Sequence, residues 1–156
     1  MDGQIVLLII SAAIFISYAL YITYTYGIQK SISASWYKLP NNWRFIFTFT
    51  LWGFAIPVMI VGDSALFFMA GGLICFVGAA ASFRDLSMTY KVHMVGAYGG
   101  VLLGFAAIVI NLGYYILPSI SALAIVIIWF TVKHKIWWIE ITAFSTVLIA
   151  LILDNI

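Results

Sequence analysis

QIVLLIISAAIFISYALYITYTY, residues Gln4–Tyr26, runs without one charged side chain. A bilayer core about 30 Å thick is crossed by roughly 20 apolar residues rising 1.5 Å each in a helix, and this run is long enough. Its apolar residues are continuous rather than alternating, which fits a helix and not a barrel strand. The rest of the chain repeats the pattern. Of its 156 residues, 65% are hydrophobic and 8% are charged, with a mean hydropathy of +1.16. A soluble domain is about 45–50% apolar and about 25% charged. The composition therefore excludes a soluble enzyme and a disordered regulator. Nucleic acid is excluded as a partner as well, because the seven Lys and Arg form no basic stripe to neutralise phosphates. One cysteine, Cys75, excludes an internal disulfide and a cysteine metal cluster.

Working outward from Gln4–Tyr26, five further runs read as spans: Trp43–Val61, Ser64–Ser82, Val92–Ile110, Tyr114–Val132 and Ile136–Leu153. The expected fold is all-α, a single six-helix transmembrane domain over residues 1–156, with no room left for a soluble domain. The breaks have physical causes. Gly62-Asp63 and Asn111-Leu112-Gly113 are turn signals that end a helix in the left-handed region. Phe83–Lys91 carries Arg84, Asp85 and Lys91, and Lys133-His134-Lys135 separates the last two spans. Pro57 falls inside the second span, four residues after Gly53, and is expected to kink it. Pro118 falls near the start of the fifth span, where proline is tolerated.

All seven basic residues lie in alternate connections: Lys30, Lys38 and Arg44, then Arg84 and Lys91, then Lys133 and Lys135. The positive-inside rule places these connections in the cytoplasm and both termini outside an inner, cytoplasmic membrane. Asp2, Asp63 and Asp154 fall on the outer side. No basic segment precedes the first span, so it is not expected to be a cleaved signal peptide. In the first connection Ile28, Ile32, Trp36 and Leu39 recur at helical spacing before Pro40. This predicts a short amphipathic helix on the inner leaflet.

Polar side chains in hydrocarbon point toward partners. The first span carries Gln4, Ser11, Tyr18 and Thr25 at a spacing of seven, with Tyr21 beside them. They read either as helix–helix hydrogen bonds or as the wall of a polar cavity. The fourth span carries Gly96, Gly100 and Gly104 at a spacing of four, led by His93 and closed by Asn111. The third offers Gly71, Cys75, Gly78 and Ser82 as a facing stripe. Small residues let helices approach closely, so spans three and four are expected to pack through these glycines. A homo-oligomer interface is the other use.

Four ionisable residues gather on the cytoplasmic side: Asp85, His93, His134 and Glu140. Glu140 lies about 6–8 Å into the last span. A carboxylate in a membrane helix is a candidate proton or ligand site. Its structural reading is an ion pair with Lys133, Lys135, Arg44 or His93. Two His and two carboxylates suffice in number for zinc, but no diagnostic spacing is present, and no metal or cofactor is expected. Ser31, Ser33 and Ser35 carry no G-x-S-x-G elbow. No phosphate-binding loop implies an ATP-driven cycle.

The segments Ser31-Ile32-Ser33-Ala34-Ser35-Trp36-Tyr37 and Trp52-Gly53-Phe54-Ala55-Ile56-Pro57, with Val92-His93 and Gly96-Ala97, carry a resemblance along nearly the whole chain. It resembles small six-span membrane proteins of unknown function from Bacteroidetes-type bacteria and their phages. A carboxylate upstream of the Val92-His93…Gly96-Ala97 helix start also resembles Frag1/DRAM-type six-span proteins. Both resemblances imply a six-span fold. Neither carries an established activity, so neither transfers a site.

Three functions compete. A small transporter, channel or lipid- or small-molecule-binding bundle is supported by the polar stripe, Glu140 and Pro57. A non-catalytic membrane interaction protein, a phage-encoded modifier or a complex subunit, is supported by small size. A lipid-modifying enzyme is supported by Ser, Asp, His and Glu gathered on one side, so enzyme status stays open. A holin is disfavoured because no charged tail follows the last span. The expected partners are the lipid bilayer and, through the glycine face, a second copy of the chain; the ligand is unknown.

Overall fold

The computed structural model describes residues 3–80 and 87–156, with the side chains of 80 and 87–92 left aside. The described residues are helical and contain no strand: α1 Gly3–Tyr26, α2 Phe45–Gly62, α3 Ala65–Ala80, α4 Ser87–Ile110, α5 Ile116–Thr131 and α6 Lys135–Asp154. Four stretches are long and apolar enough to cross a membrane, namely Gly3–Tyr26, Asn41–Gly62, His93–Ile110 and Lys135–Asp154. α5 has 16 residues, roughly 24 Å at 1.5 Å each.

The turns follow the expected chemistry. α2 ends at Asp63, which takes the left-handed conformation at φ 37°, one that Asp tolerates better than most residues. Gly62 stays in the helix for a packing reason: a Cβ there would lie 2.4 Å from the ring of Phe67. Ser64 Oγ then accepts the Phe67 N–H at 3.3 Å, satisfying one donor at the start of α3. Gly113, at φ +71°, turns the chain between α4 and α5. α2 continues through buried Pro57, and Pro118 sits in the first turn of α5.

α3 is packed between α2 and α4, and here the expected glycine pairing is corrected. Gly96 and Gly100 do seat α4 on α3. A Cβ on Gly100 would meet Ile74 Cδ1 at 2.7 Å and the Ala70 carbonyl at 3.3 Å, and one on Gly96 would meet Val77 Cγ2 at 2.9 Å. Gly71 and Gly78, however, face α2. Their added Cβ atoms would meet Met59 Cγ at 2.2 Å and Leu51 Cβ at 3.2 Å. The close approach lets α2 reach α3 carbonyls: Thr48 Oγ1 donates to Gly78 O at 2.9 Å, and Trp52 Nε1 donates to Cys75 O at 3.0 Å. Gly104 faces α6, where its Cβ would meet Val147 Cγ2 at 3.2 Å. Ser82 lies outside the described residues.

α6 meets α1, α2, α4 and α5. α5 packs mainly on α6, pinned by a buried bond in which Ser121 Oγ and Thr146 Oγ1 are 2.6 Å apart. Thr146 Oγ1 gives its proton to Thr142 O, so Ser121 is the donor between them. Buried polar side chains are satisfied. Ser11 donates to Phe54 O at 3.0 Å, and among the described residues no buried side-chain N or O lacks a partner. The outer surface carries large apolar side chains such as Leu20, Phe49, Phe68, Leu102, Ile116 and Phe130.

Candidate functional site

One end of the bundle holds a partly open cavity of about 30 Å³, the room of roughly one water molecule. Its walls come from the start of α2 (Phe47, Leu51), the later part of α3 (Ile74, Val77), the start of α4 (His93, Ala97, Val101) and the start of α6 (Glu140, Phe144). Ile32 and Ser33, from the connection between α1 and α2, complete it. Glu140 and His93, which lie far apart in sequence, therefore face one space.

The part-buried Glu140 carboxylate has a specific partner. Ile32 N–H donates to Glu140 Oε2 at 2.5 Å. The Ile32 carbonyl in turn accepts from Ser35 Oγ at 2.5 Å. Ser35 Oγ lies 2.5 Å from Tyr18 Oη. Serine has one hydroxyl proton, and Ser35 gives it to Ile32, so Tyr18 donates to Ser35. A chain of bonds thus runs from Tyr18 on α1 through Ser35 and the Ile32 peptide unit to Glu140 on α6.

The segment that carries Ile32 departs from expectation. The apolar positions Ile32, Trp36 and Leu39 are buried, and so is Ser35. Only Ser33–Tyr37 forms a regular element, a five-residue 3-10 helix. Its apolar face is spent on the bundle mouth instead of on a lipid leaflet. Local bonds hold it there. Gln29 Nε2 donates to Tyr26 O at 2.8 Å and Gly27 O at 2.9 Å, satisfying carbonyls left over at the end of α1. Ser31 Oγ accepts the Ala34 N–H at 3.0 Å. The Arg44 guanidinium lies 4.2 Å from the centre of the Trp36 ring, a cation–π contact.

The remaining candidates are scattered. Tyr18 is buried and joins the site through Ser35. Tyr21 instead stands edge-on to Tyr26, with ring centres 6.2 Å apart. Ser11 makes a helix–helix bond, while Gln4 and Thr25 are exposed, so the α1 stripe is interior only in its middle. His134 precedes α6 and is outside the cavity lining. Asp85 and Arg84 lie outside the described residues. Arg44 stacks on Trp36, and Lys135 Nζ sits 4.0 Å from the centre of the Trp129 ring. Where the structural reading of Glu140 offered an ion pair with Lys133, Lys135, Arg44 or His93, the bond found among the described residues is from the Ile32 N–H. Among the described residues no three His, Cys, Asp or Glu form a metal-binding group. Ser33 shares the cavity, but the bond found for its Oγ is to Ser31 Oγ at 3.0 Å.

Ile32 was not singled out as a site residue by the sequence, and Ser35 was weighed there only as a nucleophile. Ile32 acts through its backbone, which leaves no side-chain signature. Ser35 had a faint signal, a small polar residue among the buried apolar positions of its segment.

Deeper in the bundle the lining is apolar. A second void of about 20 Å³ shares Ile74, Val101 and Phe144 with the first. Beside it Phe15, Phe54 and Phe144 cluster, with ring centres 4.7–5.4 Å apart. Chemically, the arrangement offers an anionic acceptor, an imidazole and space for a water at the mouth, above an apolar floor. No family model, curated protein or solved structure matches this chain.

Proposed function

We propose that the chain is an integral membrane protein of six spans and that it works as a small transport or small-molecule-binding bundle. The Glu140–His93 cavity is its proton or ligand site. Apolar side chains outside and satisfied polar groups inside are the arrangement a bilayer demands. The basic connections lie on the cytoplasmic side of an inner membrane, with both termini outside.

One observation carries the functional reading: a carboxylate and an imidazole face the same water-sized cavity, 47 positions apart in sequence. Among the described residues this carboxylate is bonded by a backbone amide, a partner that an incoming proton or ligand can replace. A second reading, a non-catalytic interaction protein, draws on the aromatic cluster that closes the interior beyond the cavity.

The test is proton flux into vesicles containing a pH-sensitive dye. Wild-type protein should dissipate an imposed pH gradient faster than protein-free vesicles, and Glu140→Gln should abolish the excess. Equal rates in wild-type, variant and empty vesicles would favour the interaction protein. Reporter fusions check the orientation: a C-terminal fusion active in the cytoplasm would overturn it.

A further inference from the structure

We propose that Glu140 is a proton-binding latch and that residues 28–39 form the gate it holds shut over the basic end of the bundle. This deepens the reading above by naming the ligand of the site and the element that responds to it. The latch bond joins residues 108 positions apart, so it is a tertiary contact that ties the gate to α6. Among the described residues, the gate's other polar ties include bonds local to it, one to α1 through Tyr18 and the Arg44 contact at the approach to α2.

The gate has little reason to leave on apolar grounds, since Ile32, Trp36 and Leu39 are buried. A change of charge at Glu140 supplies the reason. Hydrogen bonds to a carboxylate are roughly twice as strong as those to a neutral acceptor. One proton passes from hydronium to the carboxylate: an O–H bond of hydronium breaks, an O–H bond forms on Glu140, and water and a neutral carboxylic acid remain. The Ile32 N–H then faces a weaker acceptor, while the new O–H seeks an acceptor of its own. The cavity has room for a water beside the carboxyl that can deliver that proton.

Among the described side chains, the groups lining the cavity with Glu140 are few. α4 brings His93, which titrates. α2 and α3 bring apolar side chains to the cavity, and the gate brings Ile32 and Ser33. α1 reaches it only through Tyr18 and Ser35, and Arg44 is stacked on Trp36. Lys91 and its neighbours at the start of α4 lie outside the described side chains.

Hydrogen–deuterium exchange of the purified protein in detergent, corrected for the intrinsic pH dependence of exchange, reads the gate directly. The wild-type Ile32 amide should exchange about tenfold faster at about pH 4, where carboxyl groups take up a proton, than at about pH 9. Glu140→Gln, a neutral near-isostere, should exchange fast at both. Ser35→Ala, which cuts the tie to Tyr18 and leaves the carboxyl alone, should exchange faster at both yet keep the response. This second variant preserves the test if Glu140→Gln fails to fold. A wild-type amide insensitive to pH would overturn the latch. So would a response that survives Glu140→Gln and disappears in His93→Gln, because the proton would then belong to His93. An amide that responds in a protein without proton flux supports the latch and defeats the transport reading. Flux with an unresponsive amide does the reverse.

Discussion

The mouth of the bundle and its middle are built on different principles. At the mouth, position is set by a few directional bonds around a water-sized space: Ile32 to Glu140, Ser35 to Ile32, Tyr18 to Ser35. In the middle, position is set by contact. Phe15, Phe54 and Phe144 fill the space between α1, α2 and α6, and Gly96 and Gly100 bring α4 against α3. Contact is lost everywhere at once when helices separate. A directional bond to a carboxylate changes with one proton. The middle is therefore suited to hold the bundle, and the mouth to respond.

The largest effects are expected in the middle. Phe144→Ala removes a ring from the three-ring cluster and should cost about 3–5 kcal/mol, read as thermal stability in detergent. Gly100→Leu, which forces a side chain against Ile74 and the Ala70 carbonyl, should cost about 1–3 kcal/mol. Gly72 sharpens that contrast, because a Cβ there meets nothing within 4 Å. Gly72→Ala should be neutral or stabilise by about 0.5–1 kcal/mol through helix propensity. Equal losses at Gly100 and Gly72 would mean that glycine positions in this bundle do not report helix contact.

The all-helical fold was legible because its signals are local. Gly62-Asp63 and Asn111–Gly113 turn the chain where their chemistry requires, and the four longest apolar helices coincide with expected spans. The glycines of α4 were legible as a packing face. Which neighbour each glycine meets was not. A helix packed between two others carries two close-contact faces, and spacing alone does not assign Gly71 and Gly78 to α2 rather than α4. Burial of Ile32, Trp36 and Leu39 was also hidden in their periodicity, since a lipid leaflet and a bundle mouth ask for the same apolar stripe. At the site, Glu140 and His93 were found as unusual residues in spans. Their shared cavity was a consequence of tertiary packing, and the Ile32 amide has no sequence signature at all.

The most direct test of the account is the amide resonance of Ile32 in protein labelled with nitrogen-15 at isoleucine, compared between wild type and Glu140→Gln. A short bond to a carboxylate moves an amide proton far downfield. The Ile32 proton should therefore lie downfield of the other isoleucine amides in wild type at neutral pH and move back toward them in the variant, while isoleucines remote from the mouth stay in place. An Ile32 proton with the same shift in both proteins would contradict the contact on which the site rests.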